Sequence, residues 1–322
     1  MSSYLTELRA LYQLHLKKRP VVLSHEINSR CNLKCSFCDY WRYERDELDT
    51  DEIFYLLEQA KSFGILFYNV WATEPLLRKD LPDILEHAHK LGMTTSLITN
   101  GLLLENRIDE LDHLDYLSIS LDSIKSLEEI RGIRFNTLLP GIIKARDKLN
   151  KEILINCVLS KKNLEDVEDL VKLAKDLGMK ISFEPIHKIE SIDSTDWSTL
   201  DIKKNNKYQR VIDKLILMKK KGYPIINSIT YLELVKNMST DYKCHASDII
   251  LNVTSNGTVE HCRLKKTKLG DISSSLEHIW NNSKAIRNDV TSNCSGCLFF
   301  GYVENSLLYN FKPEVIKNYE WM

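Results

Sequence analysis

The sequence predicts an α/β protein: a partial (β/α)6 barrel of the TIM type, followed by a small cysteine-bearing module. Two observations carry that prediction. Strand-like apolar runs alternate with helix-period segments six times between Val21 and Lys221, which implies a parallel sheet with helices outside it. Near Lys243 the alternation gives way to a glycine-turn hairpin and spaced cysteines. The implied division is an N-terminal helix at 1–20, a barrel at 21–222 and a module at 223–322. Six units are too few to close an eight-unit barrel and suit an open one, with chemistry at the C-terminal ends of the strands.

The elements follow in order. Val21–Asn28 reads as a strand and Asp51–Phe63 as a helix. The next pairs are Ile65–Trp71 with Leu81–Leu91, Thr94–Thr99 with Arg107–Leu114, and Tyr116–Asp122 with Thr137–Leu149. Glu152–Ser160 pairs with Asn163–Leu177, and Lys180–His187 with Lys203–Lys221. Asn163 followed by Asp166 resembles a capping box, and Gly178 is a helix stop. Ile249–Val253, Ser255-Asn256-Gly257 and Thr258–His261 read as a β-hairpin. One helix, Ser275–Arg287, precedes the last cysteines and an aromatic tail.

Composition narrows the function. The 322 residues are 43% hydrophobic and 28% charged, ordinary for a soluble globular chain. Lysine and arginine total 44 against 45 acidic residues, a net charge of −1. That balance argues against a nucleic-acid partner held by bulk positive charge. No apolar run is long enough to span a bilayer, and no signal peptide is evident, so a cytoplasmic setting is expected. There the eight cysteines point to metal ligation rather than disulfides.

The first strand runs into Cys31-Asn32-Leu33-Lys34-Cys35-Ser36-Phe37-Cys38. Thiolates spaced C-x3-C-x2-C can ligate three irons of a cuboidal cluster and leave the fourth open, as a catalytic metal site requires. Zinc normally takes four protein ligands; no fourth cysteine lies nearby, and His25 sits back inside the strand.

This motif, with an aromatic before its last cysteine, resembles the signature of the radical S-adenosylmethionine (SAM) superfamily, and the resemblance extends from Val21 to His187. It implies a [4Fe–4S] cluster on Cys31, Cys35 and Cys38 whose open iron is chelated by the amino and carboxylate groups of SAM. One electron then releases a 5′-deoxyadenosyl radical that abstracts hydrogen from a substrate. It also implies an electron donor such as flavodoxin or ferredoxin. The family's Gly-Gly-Glu-Pro segment, which holds the SAM amino group, corresponds here to Ala72-Thr73-Glu74-Pro75, with both glycines replaced. Backbone carbonyls and the acidic side chain could still serve. By the same resemblance Phe37, Asn100, Ser120 and Arg131 lie at the SAM site, the last two near its carboxylate.

Cys244, Cys262, Cys294 and Cys297, with Gly270-Asp271-Ile272 and Leu276-Glu277-His278-Ile279-Trp280, resemble the auxiliary-cluster modules called SPASM and twitch. Four cysteines suit the shorter, twitch-like form with one second [4Fe–4S] cluster; the alternative is a structural zinc on the same thiolates. Cys157, within an apolar strand, reads as an inert buried thiol.

The substrate is not legible. Peptide, lipid and small-molecule modification all remain open. The N-terminal Leu5, Leu8, Leu11 and Tyr12, with Lys17, Lys18 and Arg19, could lie on a membrane surface, although packing on the barrel is the expectation. The lysines of 203–221 read as a solvated helix face. The tail aromatics Phe299, Phe300, Tyr302, Tyr309, Phe311, Tyr319 and Trp321 would cover the barrel mouth or line a pocket. A non-catalytic iron–sulfur or zinc scaffold is the competing class of function.

Overall fold

A computed structural model describes residues 3–43, 45–71, 73–149, 153–188, 194–203 and 206–316. Ala72, Tyr319 and Trp321, named above, lie outside the described residues.

Nine strands form one sheet in the order β6-β5-β4-β3-β2-β1-β7-β8-β9. They are β1 (Val22–Glu26), β2 (Phe67–Trp71), β3 (Thr94–Thr99), β4 (Tyr116–Ser120), β5 (Leu154–Leu159), β6 (Lys180–Pro185), β7 (Ile250–Val253), β8 (Thr258–Glu260) and β9 (Lys268–Asp271). The first six are parallel and adjacent in chain order, as the alternation of apolar and helical segments predicts. The C-terminal module continues this sheet: β7 pairs parallel with β1, Ser24 opposite Asn252, and β8 and β9 turn back antiparallel. Gly257 makes the hairpin turn at φ +83°, a backbone conformation that disfavours a β-carbon.

The two faces of the sheet differ in chemistry because successive side chains point to opposite sides. Leu23, Tyr68, Val70, Leu97, Ile119, Ile155 and Phe183 are fully buried within the main hydrophobic core. That core also takes in Ile53, Leu56 and Leu57 from the helix Thr50–Phe63 and Ile142 from the helix Phe135–Lys148. The opposite face is polar. Ser24, Asn69 and Ser96 stand in one register row, and Ser120, Asn156 and Ser182 in another. Ser96 Oγ donates to Asn69 Oδ1 at 3.2 Å and Ser182 Oγ to Asn156 Oδ1 at 2.8 Å. Most of this face is half-buried, so it forms the concave wall of an open barrel.

Four local expectations are corrected. Asn163 and Asp166 do not form a capping box. Asn163 Nδ2 donates to the carbonyls of Asp122 and Val158, and Asp166 Oδ2 accepts from the backbone of Ile124 and Lys125. Both side chains are spent holding the loop after β4 to β5, and the helix starts later, at Val167. The segment 107–114 holds only a short helix Leu104–Arg107 and one 3-10 turn Ile108–Glu110. The helix expected at Ser275–Arg287 is two, Leu276–Asn282 and Lys284–Ser292, divided at buried Ser283.

The N-terminal segment packs by a different face from the one expected. Ala10 and Leu14 meet a small core of Val21, Leu66, Ala246 and Tyr302, while Leu5, Leu8, Leu11, Tyr12 and Leu16 are exposed. The helix Ser3–Leu11 passes into a π-helix, Tyr12–Lys17. No helix of the described residues is long and apolar enough to cross a membrane.

Candidate radical site

The loop after β1 is tied down before its cysteines begin. Arg30 makes two 2.9 Å bonds to the Glu47 carboxylate, which also accepts Ser29 N–H at 3.0 Å. Buried Arg78 donates to the carbonyls of Ile27 and Leu48, and Leu48 N–H reaches Ser255 O at 2.7 Å. Bidentate arginine contacts fix orientation as well as position. The loop therefore leaves the C-terminal edge of the sheet in a defined direction.

Cys31, Cys35 and Cys38 stand on this loop with their thiols partly or wholly buried. Two of them contact groups from other parts of the sheet's rim, and the third is held within the loop. Cys31 Sγ lies 3.4 Å from Thr73 O and 3.9 Å from Asn100 Nδ2. Cys35 Sγ lies 3.9 Å from Arg131 Nη1. The backbone carbonyl of Cys38 accepts Trp41 Nε1–H at 2.8 Å. Burial pushes the Cys38 thiol up to about 12, and the neighbouring thiols add to it. Such a trio ionises only against a cationic partner, which is what iron supplies. His25 is fully buried, bonds Tyr68 OH at 2.9 Å, and shares the hydrophobic-core face of β1 with Leu23, opposite the concave face.

The segment after β2 is the main departure in sequence, and the structure shows how it is held. Thr73 Oγ1 donates to Asn28 Oδ1 at 2.8 Å, and Asn28 Nδ2 donates to Glu74 O at 2.8 Å. The Glu74 carboxylate is fully buried and accepts from Thr99 Oγ1 (2.7 Å), Leu76 N–H (3.0 Å) and Asn100 N–H (2.8 Å). It braces the ends of β2 and β3. Asn28 went unrecognised in the sequence; its only signal was a polar residue ending an apolar strand.

The other candidates are distributed unevenly. Asn100 Nδ2 donates to Asn32 Oδ1 at 2.7 Å within the cysteine loop. Ser120 is half-buried at the end of β4 on the concave face. Arg131 is buried, its Nε donates to Asp122 Oδ2 at 2.6 Å, and its guanidinium lies 5.2 Å from the Phe37 ring centre.

In the C-terminal module Cys244 precedes the helix Ala246–Ile249, Cys262 follows β8, and Cys294 and Cys297 follow the helix Lys284–Ser292. Cys244, Cys262 and Cys297 pack against one apolar cluster. Tyr242 OH approaches Cys297 Sγ at 3.8 Å. Gly296, at φ +80°, lets the C-x2-C turn close against Thr240; a β-carbon there would meet Thr240 at 2.6 Å. Tetrahedral zinc draws thiolates to about 3.8 Å of one another. Among the described residues no three such ligands converge closely enough for one metal ion. Cys157 is fully buried, its Sγ 3.5 Å from Asp122 O.

An open parallel barrel with three thiols at its mouth, and a second set of four beyond an added strand, is the arrangement that the radical SAM resemblance implies. Residues 26–174 match the Radical SAM superfamily, and residues 244–298 match SPASM, an iron–sulfur cluster-binding domain. The chain is a radical SAM enzyme with a SPASM/twitch-type module, and its cofactors are SAM, a [4Fe–4S] cluster and an additional cluster. It is similar to a probable GTP 3′,8-cyclase of Methanocaldococcus jannaschii, 26% identical over 259 residues that cover 76% of this chain and 86% of the relative. It is also similar to the PqqA peptide cyclase of Xanthomonas oryzae pv. oryzae, 32% identical over 165 residues, 48% of this chain and 44% of the relative. In fold it resembles SuiB of Streptococcus suis bound to S-adenosylmethionine, with a TM-score of 0.68, 20% identity, and 85% of this chain and 68% of that one covered. SuiB has also been solved bound to the precursor peptide SuiA.

Proposed function

We propose that Cys31, Cys35 and Cys38 hold the SAM-cleaving cluster, and that Cys244, Cys262, Cys294 and Cys297 hold the second one. The carrying observation is that all three N-terminal thiols stand on one braced loop at the C-terminal rim of the sheet. Cluster and SAM together supply the 5′-deoxyadenosyl radical. The residues of this chain position and shield. Thr73 offers a backbone carbonyl beside Cys31, held by the Asn28–Thr73 bond in place of the family's glycines. Ala72 would contribute its own carbonyl. Glu74 acts as a brace behind this segment, and Arg131 neutralises charge at Cys35 while keeping Phe37 over the loop. Asn100 and Ser120 face the SAM polar groups.

The substrate we infer is a peptide, supported by the likeness to the PqqA peptide cyclase and to the fold of SuiB. The broader span shared with the probable GTP 3′,8-cyclase favours a small molecule as the second reading. We also infer a cytoplasmic enzyme fed by flavodoxin or ferredoxin. The exposed apolar face of Leu5, Leu8 and Leu16 supports peripheral contact with a membrane; co-sedimentation with anionic vesicles, lost in a triple serine variant, tests it.

The decisive experiment is reductive SAM cleavage by anaerobically reconstituted protein. Alanine at Cys31, Cys35 or Cys38 abolishes 5′-deoxyadenosine formation. Alanine at Cys244 leaves the first cluster's SAM-sensitive EPR signal in place. Turnover retained without the first three thiols refutes the assignment.

A further inference from the structure

Between the two cysteine sets, at the mouth of the barrel, lies a cleft lined by Glu26, Tyr40, Arg45, Trp71, Arg263 and Lys266. Its walls come from the ends of β1 and β2, from the loop just after Cys38, and from the residues just after Cys262. It is narrow and open to solvent, with room for about one water-sized group, so only the tip of a larger molecule would enter it.

The polar groups of this cleft are unevenly satisfied. Glu26 is buried and accepts from Arg45 at 2.8 Å. Glu260 faces Lys266 and Arg45, and Lys266 also lies over the Tyr40 ring. Glu184, from the same concave wall, accepts Phe300 N–H at 3.1 Å. Arg263 differs. Its guanidinium lies 3.6 Å from the centre of the Trp71 ring and one Nη donates to Ser24 Oγ at 2.9 Å; it forms no direct ion pair among the described residues, although Glu26 and Glu184 lie near enough to feel its charge. Its Nε–H is buried without an acceptor, and so is the indole N–H of Trp71 beneath it. Two stacked, buried donors without acceptors are uncommon, because each forfeits its hydrogen bonds to water.

We propose that Arg263 and Trp71 form a carboxylate-recognising subsite, which receives an acidic side chain or terminal carboxylate of the substrate between the two clusters. This rests on the peptide reading above and specifies it: the modified peptide presents an acidic group about where the two clusters face each other. A carboxylate supplies the missing acceptors to both donors, and a guanidinium preorganised by an aromatic ring loses little freedom on binding it. An amide of the same shape would match the hydrogen bonds without the charge and bind less tightly.

The test uses the reconstituted full chain and two blocked tripeptides, acetyl-Ala-Glu-Ala-amide and acetyl-Ala-Gln-Ala-amide, with affinities measured by anaerobic calorimetry. The wild type is expected to prefer the glutamate peptide at least tenfold. Arg263→Gln erases that preference, Arg263→Lys restores part of it, and Trp71→Phe narrows it severalfold. Equal affinities, or a preference that survives Arg263→Gln, overturns the subsite and leaves the peptide reading standing, whereas no binding of either peptide overturns both. So does competition by SAM for the glutamate peptide, which would make this the cofactor's own carboxylate site. Reductive SAM cleavage by the wild type, measured on the same samples, reports separately on the radical SAM reading.

Discussion

The cysteines carry the chemistry, but the side chains around them decide whether the loop holds its shape. Arg131 and Asp122 form a buried pair, both under a tenth exposed. Removing one partner of such a pair strands a charge and typically costs about 3–5 kcal/mol. Arg131→Met should lower stability by about that amount in urea unfolding, and Asp122→Asn with Arg131→Met together should cost less than the single change. Glu304 makes a second residue-level prediction. It is fully buried; one oxygen accepts Ser228 N–H at 2.6 Å and the other has no partner. Burial raises its pKa to about 7. A carboxyl raised in the fold holds a proton that the unfolded chain releases above about 4.5, so its stabilising effect is full below that pH and fades as pH rises to about 7. Urea midpoints should fall between pH 5 and pH 8, by on the order of 2 kcal/mol from this group. Glu304→Gln should flatten that fall, and an unchanged slope would discard the account.

Elements here are set by local signals where those signals are undisturbed. The helix Thr50–Phe63 begins at a complete capping box: Asp49 Oδ1 accepts Glu52 N–H at 2.8 Å, and Glu52 Oε2 accepts Asp49 N–H at 2.9 Å. Asp49→Ala should cost about 1 kcal/mol, seen as a lower thermal midpoint with unchanged iron content. Asn163 and Asp166 offered similar letters and made no cap, because buried acceptors and donors from β4 and β5 claimed both side chains. The helix Asn206–Lys220 buries Tyr208, Ile212 and Leu215, while Lys207 and Lys214 pair with Glu165 and Glu168, as the reading of a solvated lysine face expects. Phe299 stacks on His187 at 4.4 Å and Phe300 and Tyr302 are buried. These tail aromatics pack where the barrel meets the module, whereas Phe311 remains exposed.

At the scale of the molecule, the C-terminal module is a continuation of the barrel sheet. Because β7 covers the edge of β1, a chain cut before Lys243 would expose an unpaired parallel strand end to end, together with apolar Val21 and Leu66. Exposed strand edges template association. A fragment of residues 1–242 should therefore aggregate, and light scattering on the purified fragment checks it; a monodisperse fragment would show that the edge is protected otherwise. The same continuity brings Arg263 beside Trp71, although 192 positions separate them in the chain.

The sequence by itself determined the barrel, since six apolar runs at regular intervals admit few arrangements, and it determined the cofactor chemistry, since C-x3-C-x2-C leaves one iron open. Both are local patterns, written in neighbouring residues. Tertiary structure alone decided that Glu74 is spent on protein partners, that Arg131 is tied to Asp122, that Asn28 holds Thr73, and that two unsatisfied donors meet between the cysteine sets. Those facts depend on which side chains burial brings together across the sheet, and each pairing involves residues too far apart in the chain for spacing to reveal. The N-terminal face was misread for a related reason: only the packing shows that Ala10 and Leu14, rather than Leu5, Leu8 and Leu11, meet the rest of the protein.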